Sequence, residues 1–143
     1  MYTAMELAKY IVSKCYYDGC PISNLQLQKI LYYIQKEFLK ETATPAFRDD
    51  IEAWQFGPVV PNVYYHFCGF GAMRIFIAQK NEKCPLNDDD VQMINAIIEE
   101  KRVLDPWQLV EDTHKSGGAW DKIYQGGLGN HQVIPVELIR QVG

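Results

Sequence analysis

The stretch that most constrains the fold is residues 52–64, which read EAWQFGPVVPNVY. Proline fixes φ and lacks an amide hydrogen, so Pro58 and Pro61 cannot both lie inside a helix, although each suits a turn or a first helical turn. Gly57 supplies the backbone freedom that a sharp bend requires. These residues predict an extended segment followed by a tight corner at Gly57 and Pro58. A helix is expected to begin near Pro61.

A second informative stretch, residues 25–35, reads LQLQKILYYIQ and is typical of a buried amphipathic helix. At the start of this helix, Ser23 and Gln26 match the capping-box pattern, in which each side chain bonds the free backbone amide of the other residue. Apolar residues then recur at helical spacing and predict the buried face of this helix: Leu27, Ile30, Leu31, Ile34 and Phe38.

The same helix carries a second stripe of polar and aromatic side chains, spaced four, three and four residues apart: Gln28, Tyr32, Gln35 and Leu39. Residues with this spacing lie on one side of a helix. One interpretation is that the stripe forms a binding face. The other is that it packs beneath Trp54 and Tyr64, with its amides bonded to the backbone of the proline corner. The pattern alone is compatible with both.

The other cap and turn signals predict a mainly α fold of the α+β class, a compact single-domain bundle of about five to six helices with a small two-stranded β element. Further helix starts are indicated at Thr3, Asn87 or Asp88, Pro106 and Pro135, and a short helical turn around Trp120. Residues 47–56 and 74–79 are expected to form the two strands. Such short strands must pack against the helices, because a pair alone is only marginally stable.

The length of the chain and the shortness of its apolar runs limit the classes of protein to which it can belong. A chain of 143 residues suits one domain over residues 1–143, and it contains no apolar run of the ~18 residues that span a bilayer. The N-terminal stretch carries Glu6 where a signal peptide would be apolar. We therefore expect a cytoplasmic protein without a membrane partner, whose four cysteines, lacking Cys-x-x-Cys spacing, are thiols.

The net charge of −4 counts against a nucleic-acid binder, since such proteins cluster Lys and Arg against phosphates. Lys101 and Arg102 form the only adjacent basic pair. No separate DNA-binding segment is expected before Met5, because the pattern of the first helix predicts that the domain has already begun there. Nucleic acid is therefore not an expected partner of this chain alone.

A catalytic or metal site has little support in the sequence. Glu111 and Asp112 lie two or three residues from His114, a spacing that need not orient a general base and its carboxylate. We expect a buried, structural His114 bonded to backbone or to a side chain such as Glu52. The zinc-binding residue types His66, Cys68, Cys84 and His114 lack the spacing of a known zinc motif. We therefore predict no enzyme activity, no cofactor and no metal.

Three blocks of residues carry a resemblance to a known family. The first block is Leu27, Gln28, Lys29, Leu31, Tyr32 and Gln35; the second is Glu52, Ala53, Trp54, Gly57, Pro58, Val59, Pro61, Val63 and Tyr64; the third is Thr113 and His114, with Trp120 soon after. Together they resemble the Panacea or SocA-like antitoxin domain, a family also described as phage-associated and GepA-related. Phe56 stands where tyrosine is also common, and the proline often found just before the tryptophan is missing here.

The resemblance implies an antitoxin that binds and neutralises a toxin encoded by an adjacent gene, either by blocking it or as an adaptor that delivers it to a protease. The alternatives are a phage-associated accessory or scaffold protein, and a small hydrolase dependent on His114 or Cys68. Within the motif, we expect Trp54, Pro58 and Tyr64 to be mainly structural. The motif residues carried over from the family are Gln28, Tyr32, Gln35, Glu52, Trp54, Gly57, Pro58, Pro61, Tyr64, Thr113 and His114.

Exposed tyrosines and polar neighbours of the motif are the candidate contacts with a partner protein. Tyrosine occurs in three adjacent pairs, at 16–17, 32–33 and 64–65, and neighbours on a helix point about 100° apart, so one ring of a helical pair can reach the surface. Such rings are enriched at interfaces, although an aromatic-rich core gives similar counts. The candidate contact residues are Tyr33, Gln55, Asn62 and Tyr65.

Overall fold

The structure, a computed structural model, describes residues 1–76 and 84–143. Its described helices are α1 (Ala4–Tyr17), α2 (Asn24–Thr42), α3 (Pro61–Phe67), α4 (Asp88–Lys101), α5 (Pro106–Thr113), α6 (Ala119–Tyr124) and α7 (Val136–Val142). The described strands are β1 (Glu52–Trp54), β2 (Gly57–Val59) and β3 (Gln132–Val133), and 3-10 helices occupy Cys68–Phe70 and Gln125–Gly127. The predicted mainly α fold with a small β element is confirmed.

Helix α2 is the central element of the fold. It packs against α1, α3, α4, α5, α7 and β2. Its start is the predicted capping box, with the Ser23 side chain accepting from the Gln26 amide and the Gln26 side chain accepting from the Ser23 amide. The predicted apolar face is buried, as are its polar neighbours. Both faces of α2 therefore pack against other elements. Side chains of α2 contribute to the functional site as well as to the core.

Local start signals located the other helices well. Proline begins α3 and α5, and the Asp105 carboxylate accepts from the Trp107 amide at 2.8 Å. At α1 only half of a capping box forms: the Glu6 amide donates to Thr3 Oγ1, and the Glu6 carboxylate accepts from the Thr3 hydroxyl instead of from its amide. None of the helices in the described ranges is both long and apolar enough to cross a membrane.

The sheet differs from the prediction in its pairing. Strand β1 pairs antiparallel with β2, through a tight turn, and with β3, which gives the order β2-β1-β3. The predicted partner of the extended segment, residues 74–79, is wrong where it is described, because Arg74 forms an isolated bridge with Ser23. Residues 77–79 lie outside the described residues. The true second partner, β3, has only two residues and lies far along the chain, so it left no periodic signal.

Candidate functional site

Two buried glutamines of α2 hold neighbouring backbone in place. Gln35 donates from Nε2 to the Phe47 carbonyl at 3.0 Å, and its Oε1 accepts from the amides of Ala46 and Phe47. Gln28 Oε1 accepts from the Val60 amide at 2.9 Å, at the point where the proline corner enters α3. Tyr32 and Leu39 are also buried, so the second stripe of α2 lies inside the protein. Gln28 bonds to the proline corner, as the second interpretation stated, whereas Gln35 bonds to the backbone of residues 46 and 47 instead.

Lys29 lies completely buried beside these glutamines. Its ammonium donates to the Pro58 carbonyl at 3.1 Å, which fixes β2 against α2. Burial lowers the pKa of Lys29 to about 7, because a charged ammonium is costly away from water. Sequence reasoning matched Lys29 to the family motif but missed its burial, since lysine is almost always exposed.

Gly57 is required where β2 crosses Lys29. Its φ is +113°, and a Cβ there would stand 2.6 Å from Lys29 Cε and 2.8 Å from Thr113 Oγ1. Only glycine combines this backbone conformation with such a close approach. Thr113 itself is buried and donates its hydroxyl to the Val110 carbonyl at 2.9 Å. The first, second and third motif blocks therefore meet at this point.

His114 and Trp120 form a stacked pair next to the hairpin that β1 and β2 make. Their ring centroids are 3.7 Å apart with an interplanar angle of 4°, and Trp120 Nε1 donates to the Trp54 carbonyl at 2.7 Å. His114 Nε2 is buried and has no hydrogen-bond partner among the described residues. Burial, and then the charge of Lys29, lowers the pKa of His114. The sequence predicts that His114 bonds to backbone or to a side chain such as Glu52; among the described residues it makes no bond to Glu52, whose carboxylate accepts from Trp54 Nε1.

Aromatic side chains line a surface cleft next to the β1–β2 hairpin. Trp54 stacks on His131, with ring centroids 4.4 Å apart, and its ring centroid lies 5.0 Å from that of Tyr64. Phe56 and Trp107 meet edge to face, with ring centroids 5.3 Å apart. We call this the aromatic cleft, defined by these five residues. It is a site that sequence reasoning found only in part, since it missed both Trp107 and His131.

The aromatic cleft has a volume of about 450 Å³. Its remaining lining consists of Asn24, Leu25, Gln28, Lys29, Gln55, Val59, Gly71, Ala72 and Asn130. Among the described residues of that lining Lys29 alone is charged, and it is completely buried. Apolar walls with a few amide groups at the edges suit a protein side chain or a small apolar ligand better than a strongly charged one.

The four candidate contact residues do not gather at one place. Gln55 lines the aromatic cleft, and Tyr65, which is 60% exposed, lies beside Trp54 with ring centroids 6.0 Å apart. Asn62 is exposed and donates to the Asp49 carboxylate at 3.3 Å. Tyr33 is half-buried beneath the Lys101 ammonium and is not part of the cleft lining.

The residues of the catalytic and metal alternatives are dispersed. Over the described ranges no three His, Cys, Asp or Glu side chains converge as a metal site would require. Cys68 is exposed and donates its thiol to the Tyr65 carbonyl, while His66 packs edge to face on Phe67. Burial raises the pKa of Cys15 to about 11 and so favours its thiol form.

The family model described as "Antitoxin SocA-like, Panacea domain" matches residues 27–121. The chain belongs to this family. It is also 33% identical over 141 residues to "Antitoxin SocA" of Caulobacter vibrioides (strain NA1000 / CB15N), an alignment that covers 88% of this chain and 75% of the relative. No solved structure matches the chain.

Membership in the Panacea family confirms the resemblance drawn from the three motif blocks, all of which lie inside the matched range. In the structure, residues of the first block bond β2 and the start of α3 to α2, and Trp120 after the third block bonds α6 to β1. Antitoxins are regulatory proteins that act on toxins, so a toxin is the general class of partner that the family indicates.

Proposed function

We propose that this protein is an antitoxin that neutralises its cognate toxin, the product of an adjacent gene, by binding it directly through the aromatic cleft and its rim. The observation that carries this proposal is the exposure of three large aromatic side chains around one cleft. Phe56, Trp107 and Tyr65 are 46%, 56% and 60% exposed. Aromatic residues on a surface supply most of the binding energy in many protein interfaces.

The frame beneath these rings supports the proposal. The hairpin that carries Phe56 is bonded to α2 through Lys29 and Gln28, and to α6 through the indole of Trp120. A surface held in this way loses little conformational freedom when a partner binds, which leaves more of the contact energy as affinity. Lys29, Gln28 and Trp120 thus serve binding indirectly, by positioning the rings of the cleft, whereas the motif residues Trp54 and Tyr64 line the cleft themselves.

The cleft also explains which kind of toxin surface would fit. Its walls are aromatic and its described lining presents no carboxylate, so a charged toxin side chain entering it would lose hydration without gaining an opposite charge. We therefore assign it an apolar side chain of the toxin. Gln55 at its edge supplies an amide for the backbone around that side chain, and Asn62 and Tyr65 extend the contact along α3. We place this binding in the cytoplasm, with neutralisation either by blocking or by delivery to a protease.

Co-expression with the product of the adjacent gene tests the proposal. We expect that product to arrest growth alone, to be harmless beside this protein, and to co-purify with it. Trp107→Ala and Tyr65→Ala should each weaken binding at least about tenfold, measured by calorimetry. Tyr17→Ala is the matched control, since Tyr17 is 61% exposed but lies at the end of α1, and it should bind like the wild type.

Two results would contradict the proposal. One is an adjacent gene product that is harmless alone, or that stays toxic and unbound in the presence of this protein. The other is equal binding by wild type, Trp107→Ala and Tyr65→Ala, which would move the contact away from the aromatic cleft. A toxin level that falls on co-expression and recovers in protease-deficient cells would separate delivery to a protease from simple blocking.

A further inference from the structure

A second surface, which differs in composition from the aromatic cleft, contains several lysines grouped around Tyr33. The ammonium of Lys101, at the end of α4, lies 4.1 Å from the centre of the Tyr33 ring. The ammonium of Lys36, which follows Tyr33 by about one turn of α2, lies 5.9 Å from the centre of the Tyr33 ring. A cation above an aromatic face is attracted to the ring, so Tyr33 holds two positive groups close together. Lys40 continues the same side of α2 one turn later.

Lys115 joins this group from the end of α5. It lines a shallow pocket together with Tyr33, Lys36 and Asp112. Its methylene chain lies across Gly118, where an added Cβ would stand 3.0 Å from Lys115 Cγ and 3.2 Å from its Cε. Lys115 and Gly118 lie in the same pocket lining as Tyr33 and Lys36 of α2. We call the group formed by Lys36, Lys40, Lys101 and Lys115 the lysine face.

The positive charges of the lysine face are only partly compensated. Lys101 pairs with Glu100 at 3.6 Å, but over residues 1–76 and 84–143 no salt bridge involves Lys36, Lys40 or Lys115. Burial lowers the pKa of Lys36, and the neighbouring lysines at 115, 101 and 40 lower it further, with Glu37 opposing them. The protein therefore holds like charges near one another, in a chain whose net charge is −4.

We propose that the lysine face binds an acidic segment of the toxin, one that places aspartate or glutamate side chains between these ammonium groups. The inference rests on the proposed function and adds a second contact to it. Carboxylates would relieve the repulsion among the lysines and would steer the partner before the cleft engages. A protein segment fits better than nucleic acid, because Glu37, Glu100 and Asp112 interrupt the positive surface and would repel a continuous phosphate backbone.

Charge reversal tests this contact. The triple variant Lys36→Glu, Lys40→Glu and Lys115→Glu should bind the adjacent gene product at least about tenfold more weakly at about 0.05 M salt. Most of the difference should disappear at about 0.5 M salt, where charges are screened over a few ångström. The double variant Lys40→Glu and Lys115→Glu changes only exposed side chains and should show the same trend, which guards against misfolding of the triple variant.

The matched control reverses three basic residues elsewhere, with Lys9→Glu on α1, Arg48→Glu after α2 and Arg74→Glu after α3. We expect it to bind within about twofold of the wild type, because net charge alone should contribute little at close range. If the control weakens binding as much as the triple variant, the effect is one of overall charge and the lysine face is not a contact. Unchanged binding by the triple variant would also overturn the inference.

A defined probe separates this inference from the proposed function. A fluorescent poly-glutamate peptide should bind the wild type at low salt and should lose that binding in the triple variant. A DNA duplex bound more tightly than the peptide would overturn the assignment to an acidic protein segment. If the adjacent gene product fails to bind even the wild type, the proposed function fails, and the peptide still decides whether the lysine face accepts carboxylates.

Discussion

The pKa of Lys29 lies far from the value that a lysine has in water. Its pKa falls from 10.5 to about 7 in the native protein because burial disfavours the charged form. An unfolded chain keeps the higher pKa, so above pH 7 the unfolded state binds a proton that the native state has released. Stability therefore rises with pH between about pH 7 and pH 10.5, and below this window the native state carries the full cost of burying a charged ammonium.

Lys29→Met should remove this pH dependence. We expect the free energy of unfolding of the wild type to increase by about 2 kcal/mol between pH 7 and pH 9 through this one group, and that increment to be missing from the variant. Urea unfolding at the two pH values measures it. Lys40→Met is the matched control, since Lys40 is exposed on the same helix and should keep the wild-type slope. An equal slope in Lys29→Met would contradict the buried, titrating ammonium.

At the scale of the element, two tryptophans on neighbouring helices have opposite roles. Trp120 on α6 is buried, stacks on His114 and Tyr124, and bonds to the backbone of β1. Trp107, in the first turn of α5, is mostly exposed and packs edge to face on Phe56 of the hairpin. The first joins α6 to the sheet, whereas the second is free to contact a partner.

Their alanine variants should separate stability from binding. Trp120→Ala is expected to cost about 3 to 5 kcal/mol, as for other large buried aromatics, because it leaves a cavity and removes the hydrogen bond from the indole to the Trp54 carbonyl. Trp107→Ala should cost under about 1 kcal/mol, since an exposed side chain contributes little to the core. Urea unfolding of both variants makes the comparison. A similar loss in the two would mean that Trp107 supports the fold and would weaken its assignment as a contact.

At the scale of the whole molecule, α2 contacts most other elements, and the three motif blocks meet around it. One central helix shared by all of these contacts should make unfolding cooperative. We therefore predict that residues 1–143 unfold as one domain. Far-ultraviolet circular dichroism and tryptophan fluorescence should give coincident urea transitions. Two separated transitions would show instead that the chain divides into units that unfold independently.

Local chemistry allowed much of this fold to be predicted. Proline fixes the start of α3 and α5, and Ser23 with Gln26 fixes the start of α2, because caps and prolines act within a single helical turn. The same local strings carried the family resemblance. Apolar spacing likewise identified the face of α2 that is buried, since that pattern depends only on helical geometry.

By itself, then, the sequence determined where the helices begin, which face of α2 is apolar, and the family. Only the tertiary structure decided that β3 pairs with β1, that Lys29 is buried beneath Gly57, and that Trp107 and His131 complete the aromatic cleft. These contacts join segments distant along the chain. Spacing within a sequence reports only what lies a few residues apart, whereas such contacts arise when separate elements pack together.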